Sequence, residues 1–133
     1  MTNSEDRPPI IISDVEKRRL HKLAQSALHN KPEVADELLI ELERAEVCPD
    51  PALPYNVVRM NSFVQFVTDK GSEHILQLVY PEDADIIRGK LSILSPIGTA
   101  LIGLAPGQTM IWTDREQQRR TLKIAEVSSS EIF

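Results

Sequence analysis

The sequence contains a single cysteine, Cys48, and no long run of apolar residues. One cysteine excludes an intramolecular disulfide, a zinc site built from several thiolates, and a Cys-x-x-Cys redox pair. The apolar segment Ile10–Ile12 is far too short for a membrane span or for the core of a signal peptide. These absences predict a cytoplasmic protein with no membrane partner.

The chain also lacks the short motifs that mark many catalytic and cofactor-binding sites. It has no Gly-x-Ser-x-Gly elbow, no Walker loop and no dinucleotide fingerprint, and no histidine is close to Cys48 in the sequence. His21, His29 and His74 share no spacing that would place two of them on one metal ion. We therefore expect no catalytic residues, no metal site and no cofactor, in a protein that is not an enzyme.

Positive charge is in deficit. The chain has 15 lysines and arginines against 20 aspartates and glutamates, which gives a net charge of −5. Such a molecule repels a phosphate backbone, so we expect contact with DNA only indirectly, through a partner. The charged run Arg115–Arg120 is interpreted as a solvated hairpin loop, because it offers no aromatic side chain for stacking on bases.

Residues from about Ser13 to Val47 follow the hydrophobic period of a helix. Ser13 and Glu16 match a capping box, in which the two residues satisfy each other's backbone N–H groups, and this predicts where the first helix begins. Pro32 is tolerated only in the first turn of a helix, so a second helix should begin near it. The short break between them predicts a helical hairpin with its tip near Lys31.

Beyond this hairpin the sequence changes its period. Three prolines in the segment 48–54 forbid a continuing helix. Ser95 and Pro96 then open a short apolar segment that Gly103 closes, which predicts one small helix. Short β-rich runs between turn signals predict strands at 57–67, 74–80, 90–94, 109–113 and 121–127.

Three segments of this second part resemble the Gre-type transcription elongation factors, and more closely their short relatives, the regulators of nucleoside diphosphate kinase. The segments are Val58–Ser62, Leu78–Pro81 followed by Asp85, and Gly89–Gly103 followed by Gly107. The third segment is long and specific, and the resemblance extends over nearly the whole chain.

The resemblance implies an α+β fold, with a short N-terminal antiparallel coiled coil followed by an FKBP-like antiparallel β-sheet domain that has a small helix. We accordingly divide the chain into a helical hairpin (1–47), a proline-rich linker (48–56) and a C-terminal domain (57–133). In Gre factors the C-terminal domain docks at the rim of the RNA polymerase secondary channel, and the coiled coil reaches toward the catalytic magnesium. Acidic residues at its tip help to hold a metal ion and provoke transcript cleavage. The implied partner is bacterial RNA polymerase, bound by a monomer.

The predicted arm departs from the cleaving members of that family in length and charge. A helix of about sixteen residues spans only about 24 Å. The tip residues His29, Asn30 and Lys31 are neutral to positive, whereas hard cations prefer clustered carboxylates. We interpret the nearby Glu33 and Asp36 as acids that favour the positive end of the second helix, not as metal ligands. A cap from Asn30 or Lys31 should complete that helix start, and we expect no transcript cleavage.

For docking, Gre factors use the loop and helix start around a Ser-Pro pair. The matching positions in this chain are Leu94, Ser95, Pro96 and Ile97, and cleaving relatives can carry an acid in place of Leu94. The alternative is that Ser95 and Pro96 simply cap a helix. Exposure separates the two interpretations, because a docking patch must display an apolar rim and a capping pair need not.

Two other functions remain open at this point. An FKBP-like domain could be a prolyl isomerase, which needs an aromatic pocket, but several of the six aromatic residues fall in predicted strands, where core packing is the simpler interpretation. The name of the short relatives suggests regulation of nucleoside diphosphate kinase, by direct binding or through its expression. We expect a regulator that occupies the entrance of the polymerase channel and competes with longer Gre-type factors.

Overall fold

The computed structural model describes residues 7–131, in which the chain forms three α-helices and two β-sheets. The expected hairpin segment (1–47) and the expected C-terminal domain (57–133) each extend beyond this range, and residues 1–6 and 132–133 lie outside the described residues. No helix within residues 7–131 is long and apolar enough to cross a membrane. The elements confirm the α+β class and are β1 (Ile11–Ser13), α1 (Asp14–Ala27), α2 (Pro32–Arg44), β2 (Glu46–Cys48), β3 (Phe63–Thr68), β4 (Glu73–Val79), β5 (Lys90–Ser92), α3 (Pro96–Leu101), β6 (Thr109–Thr113) and β7 (Arg119–Ser128).

The helices α1 and α2 pack together as the predicted helical hairpin. Ser13 is the N-cap of α1, and its Oγ accepts a hydrogen bond from the N–H of Glu16 at 3.1 Å. The expected capping box is only half correct, because the Glu16 carboxylate accepts its hydrogen bonds from the N–H of Met60 and from Nε of Arg59, both at 3.1 Å. Glu16 is therefore buried, and it connects α1 to the segment that leads into the large sheet.

A small parallel sheet closes the base of the hairpin. The helix α2 ends at Arg44, three residues before the expected end at Val47, because Ala45 is already extended (φ −71°, ψ 145°). The following strand β2 pairs in parallel with β1, with Ile12 opposite Val47. Since β1 directly precedes α1 and β2 directly follows α2, this pairing holds the two ends of the hairpin together.

The large sheet has the strand order β5-β4-β3-β7-β6. Three of its four pairings are antiparallel as expected, whereas β5 runs parallel to β4, with Gln77 opposite Lys90. The expectation of an antiparallel sheet is therefore wrong for this edge strand. The connection at 80–89 contains two 3₁₀ turns and carries the chain back along β4 before β5 begins, which a two-residue hairpin could not do.

The strand β3 begins at Phe63, six residues later than the predicted start at Val57. Asn61 has a left-handed backbone (φ 72°), which interrupts the extended chain just before the strand. Upstream of it, the N–H of Val58 donates to the carbonyl of Leu104, and its carbonyl accepts from the N–H of Gly103, both at 2.8 Å. This segment therefore pairs with the loop after α3 and not with the sheet.

One hydrophobic cluster connects the hairpin with the sheet. Gly103 lies at the junction, with a left-handed backbone (φ 81°) and so little space that a Cβ there would lie 2.8 Å from Cβ of Ile10. The end of α3 therefore packs directly against the base of the hairpin. The helices, the sheet and α3 all contribute buried side chains, among them Leu20, Leu38, Leu42, Val64, Phe66, Leu78, Leu101 and Ile124.

Candidate functional site

The start of α3 is fixed by the side chain of Ser95. Its Oγ accepts a hydrogen bond from the N–H of Gly98 at 3.0 Å and donates one to the carbonyl of Ser92 at 2.7 Å. Pro96 occupies the first helical turn, where its missing N–H costs nothing. The Ser-Pro pair therefore caps the helix, as the sequence predicts. The Ser95 hydroxyl both donates and accepts a hydrogen bond within this segment.

Hydrogen bonding and close packing also fix the rest of the segment 92–99. Oγ1 of Thr99 donates to the carbonyl of Ile93 at 2.9 Å. A Cβ at Gly98 would collide with the carbonyl of Ser92, so only glycine fits this position. The loop and the helix start thus form one rigid unit, which explains why the sequence has a small residue there.

The four expected docking residues differ in exposure. Leu94 and Ser95 are each only 9% exposed, whereas Pro96 and Ile97 are half-buried. Pro96 and Ile97 are therefore more accessible to a binding partner than Leu94 and Ser95 are. Capping accounts for Ser95, and the accessible apolar surface at this point comes from its two neighbours.

A cleft of about 940 Å³ lies beside this helix start, and it brings the two sets of predicted site residues together. Leu94 and Pro96 line it, and so do four of the five residues assigned to the hairpin tip: Asn30, Lys31, Glu33 and Asp36. His29 and Ile97 are not among the lining residues. The apolar part of the lining comes from Pro32, Val34, Leu94, Pro96, Ala100, Met110, Ile111 and Trp112.

The turn at the tip of the hairpin is built mainly from backbone hydrogen bonds. The N–H groups of Asn30 and Lys31 both donate to the carbonyl of Ala27, at 3.3 and 2.8 Å. Lys31 is the N-cap of α2 but makes no side-chain capping bond, so the expected side-chain cap from Asn30 or Lys31 is wrong. Glu33 lies in the first turn of α2 as expected, whereas Asp36 lies beyond it.

Charged side chains border the cleft on two sides. On the α2 side, Arg7 contacts the carboxylates of Glu37 (3.5 Å) and of the buried Glu41 (2.8 Å). Glu41 also accepts hydrogen bonds from Arg44, so its buried charge is matched by two guanidinium groups. This arrangement fixes the Arg7 side chain against α2.

On the opposite side of the cleft, the turn between β6 and β7 is organised by Asp114. Its carboxylate accepts hydrogen bonds from the N–H groups of Gln118 and Glu116, both at 2.9 Å, and it lies 3.4 Å from Arg120. The Gln118 N–H above all, then the Glu116 N–H and Arg120, hold the pKa of Asp114 below its ordinary value. The predicted charged loop is therefore an ordered turn.

Trp112 is the site residue that sequence reasoning missed. Its position in a strand favoured core packing, but the side chain lines the cleft and is only half-buried. Its indole Nε1 is buried and has no hydrogen-bond partner within residues 7–131. In β6, Met110 is buried whereas Ile111 and Trp112 are partly exposed. The sequence of this strand does not indicate which other segments of the chain lie beside Trp112.

The histidines and the cysteine are not among the residues that line the cleft. His21, His29 and His74 are all exposed, and the ring of His74 stacks on Phe66 with the ring centres 5.3 Å apart. Cys48 is half-buried at the end of β2. In the described part of the chain, no three His, Cys, Asp or Glu side chains are grouped so that they could hold a metal ion.

Comparison with known proteins gives two family matches along this chain. Residues 53–129 match the family "Transcription elongation factor, GreA/GreB, C-term", and residues 8–47 match "Rnk N-terminus". The regulator of nucleoside diphosphate kinase of Escherichia coli strain K12 is 36% identical, with 80% of this chain and 79% of that protein covered. The transcription elongation factor GreA of Methylobacterium nodulans is 34% identical, with 79% and 72% covered.

A solved structure extends this likeness to the fold. The transcription elongation factor GreA/GreB from Nitrosomonas europaea is 39% identical and superimposes with a TM-score of 0.71, with 92% of this chain and 99% of that chain covered. The matched segments include the start of α3 and every strand of the large sheet. This chain belongs to the GreA/GreB transcription elongation factor family, as one of its members with an Rnk N-terminus.

Proposed function

We propose that this protein is a regulator of transcription that binds bacterial RNA polymerase at the rim of the secondary channel. The observation that carries the proposal is the cleft in which Pro96, at the start of α3, faces residues of the hairpin tip. Family membership supports the choice of partner, since two of the relatives are named transcription elongation factors. DNA is reached only through the polymerase, and the protein works as a monomer in the cytoplasm.

The docking contact divides into residues that touch the polymerase and residues that hold them in place. Pro96 and Ile97 are accessible and make the contact. Leu94 also lines the cleft but offers little accessible surface, and the Ser95 cap keeps the first turn of α3 in position. Burial of two apolar side chains against a complementary surface is the kind of anchor that dominates binding energy in many interfaces.

The helical hairpin acts as a coiled-coil arm that is too short for transcript cleavage, and the sheet acts as its FKBP-like platform. With 14 residues in α1, the arm is about 21 Å long. The residues at its end are His29, Asn30 and Lys31, which offer no carboxylate. Glu33 and Asp36 lie along the docking cleft, where they can meet the polymerase rim instead of a catalytic metal ion. The arm therefore occupies the channel entrance and excludes longer Gre-type factors.

Binding to purified core RNA polymerase, measured by biolayer interferometry, tests the docking surface. Pro96→Arg and Ile111→Arg each place a charge among the apolar cleft residues, and each should weaken binding at least about tenfold. Pro106→Arg is the matched control, because Pro106 is exposed and does not line the cleft. Equal affinities for all four proteins would remove the cleft from the interface, and no binding of the wild type at micromolar concentration would refute the proposal.

The absence of cleavage is tested separately on backtracked elongation complexes. We expect no shortened transcripts when this protein is added at a concentration that saturates the polymerase, while a cleavage-competent GreA in a parallel reaction produces them. Transcript shortening that depends on Glu33 or Asp36 would show that the acids near the tip do reach the catalytic centre.

A second candidate function comes from the name of one relative, "Regulator of nucleoside diphosphate kinase". This protein would then act on that kinase by direct binding or by changing its expression. Titration of purified nucleoside diphosphate kinase with the protein separates the two routes. Saturable binding that survives Pro96→Arg would favour direct regulation, whereas an effect seen only in cells that keep an intact cleft would favour transcription.

A further inference from the structure

The turn before β5 exposes two adjacent isoleucines. Ile87 is 95% exposed and Ile86 is 68% exposed, and Ile75 on the neighbouring strand is 45% exposed. Gly89 brings the strand and the turn together, since a Cβ at that glycine would lie 3.8 Å from the carbonyl of Ile75. Ile86 and Ile87 thus form an exposed apolar patch beside β4, and an exposed cluster of large apolar side chains is a common mark of an interaction site.

The backbone of this isoleucine turn (residues 86–89) is fixed by hydrogen bonds. Asp85 and Lys90 exchange two of them, each 2.9 Å long, across the ends of the turn. Inside it, the N–H groups of Arg88 and Gly89 donate to the carbonyls of Asp85 and Ile86, at 3.0 and 3.1 Å, and Gly89 closes the turn with φ 73°. The two isoleucines are therefore held ready for contact, so that ordering the turn on binding costs little.

The charge around the patch is negative by a small margin. Glu82, Asp83 and Asp85 are all exposed, Arg88 lies 3.6 Å from the carboxylate of Asp85, and the half-buried Lys90 follows the turn. Nucleic acid or an anionic membrane would be repelled by this excess of carboxylates, and a second copy of the chain carries the same negative excess. The charge is complementary to a protein surface with lysine or arginine side chains around an apolar pocket.

The isoleucine turn is separate from the cleft, because none of its residues line the cleft and β5 lies between it and the start of α3. A specific interface buries about 800 Å² on each partner. In the proposed docking the cleft supplies part of that area, and exposed apolar surface outside the cleft can add to it. The isoleucine turn supplies apolar surface that is already exposed.

We infer that the isoleucine turn is a second docking contact, which inserts Ile86 and Ile87 into an apolar pocket bordered by basic side chains on RNA polymerase. The inference rests on the proposed function, since it assigns the same partner to both surfaces. The added contact lies at the end of β5 opposite α3. It combines two exposed isoleucines with neighbouring carboxylates.

The test compares variants in the same interferometry assay with core RNA polymerase. Replacing Ile86 and Ile87 together by serine should weaken binding at least about tenfold, mainly through faster dissociation. Tyr55→Ser is the matched control, because Tyr55 is 91% exposed and its loss removes apolar surface elsewhere. Reversing Glu82 and Asp83 to lysine should slow association and flatten its dependence on salt. All three variants change exposed side chains, and a thermal melt confirms that each is folded.

The outcomes separate the two proposals. If the wild type binds, Pro96→Arg weakens binding and the isoleucine variant binds as the wild type does, docking at α3 stands and the second contact is refuted. If the wild type does not bind polymerase, both proposals fall. Sedimentation of the free protein adds one more possibility, since a dimer that disappears in the isoleucine variant would assign the patch to self-association and overturn the inference.

Discussion

The carboxylate of Glu16 accepts a hydrogen bond of 3.1 Å from the backbone N–H of Met60, 44 residues further along the chain. Both residues are buried, and the same carboxylate lies 3.0 Å from the guanidinium of Arg59. Arg59 in turn contacts Asp50 at 2.7 Å, in the segment between the hairpin and the sheet. One carboxylate therefore fixes where the first helix lies relative to the rest of the protein.

Replacing Glu16 by alanine should lower the free energy of unfolding by about 2 kcal/mol, because the Met60 N–H is left buried without an acceptor and Arg59 loses a partner. Glu16→Gln keeps an acceptor for that N–H and should recover part of the loss. Urea denaturation at neutral pH measures both values. If Glu16→Ala is as stable as the wild type, the carboxylate does not connect the hairpin to the sheet.

The two glycines after α3 form a matched pair for testing packing at the base of the hairpin. Both Gly103 (φ 81°) and Gly107 (φ 91°) have left-handed backbones, but a Cβ meets Ile10 at the first position and open space at the second. Gly107→Ala should cost about 1 kcal/mol from backbone strain alone. Gly103→Ala should cost about 1–3 kcal/mol more, because it also overpacks the core. Equal losses in thermal or urea denaturation would show that the hairpin base can move away.

Much of this fold follows from local patterns in the sequence. The hydrophobic period and the cap at Ser13 predict α1, Pro32 predicts the start of α2, and the Ser95-Pro96 pair predicts α3, because each feature acts within one or two helical turns. What the sequence did not reveal are contacts between distant segments. The Glu16 carboxylate bonds to Met60 and Arg59, which are far away in the sequence, instead of completing a local capping box.

The sequence did not predict β1, β2 or the position of Trp112 in the cleft, because each depends on contacts between distant segments. The strands β1 and β2 are three residues each, too short to show a period, and they form only because the hairpin brings its ends together. Trp112 joins the cleft because α2 lies across from β6, which no local pattern around residue 112 can indicate. The resemblance to Gre factors supplied the four expected docking residues, but it did not indicate which of them are accessible.

The pH dependence of stability should include a contribution from Asp114. Its pKa is held below the ordinary value of 3.8 in the folded protein, so its stabilising effect is present above the pKa of the unfolded chain and is lost as the pH falls through the folded value. Asp114→Asn should therefore denature at a lower urea concentration than the wild type at pH 6. The difference should begin to shrink as the pH falls below 3.8 and should go on shrinking as the pH passes through the lower pKa of the folded protein, where Asp114 becomes neutral like the asparagine. A difference that is constant from pH 6 to pH 2.5 would contradict this origin.

Ser95 offers a way to separate capping from docking. Ser95→Ala removes the acceptor for the Gly98 N–H and should lower the free energy of unfolding by about 1 kcal/mol. Because its side chain is buried, polymerase binding by the folded variant should stay within about threefold of the wild type, unlike binding by Pro96→Arg. Calorimetry and interferometry on the same preparations give both numbers. A loss of binding as large as that of Pro96→Arg, without a loss of stability, would mean that Ser95 itself touches the partner.

Competition for RNA polymerase tests the central claim most directly. A fluorescently labelled, cleavage-competent GreA is bound to core polymerase, and its displacement is followed by fluorescence anisotropy as this protein is added. We predict complete displacement by the wild type and by Pro106→Arg, and at least about tenfold weaker displacement by Pro96→Arg. Simultaneous binding of both proteins to one polymerase would contradict docking at the secondary-channel rim.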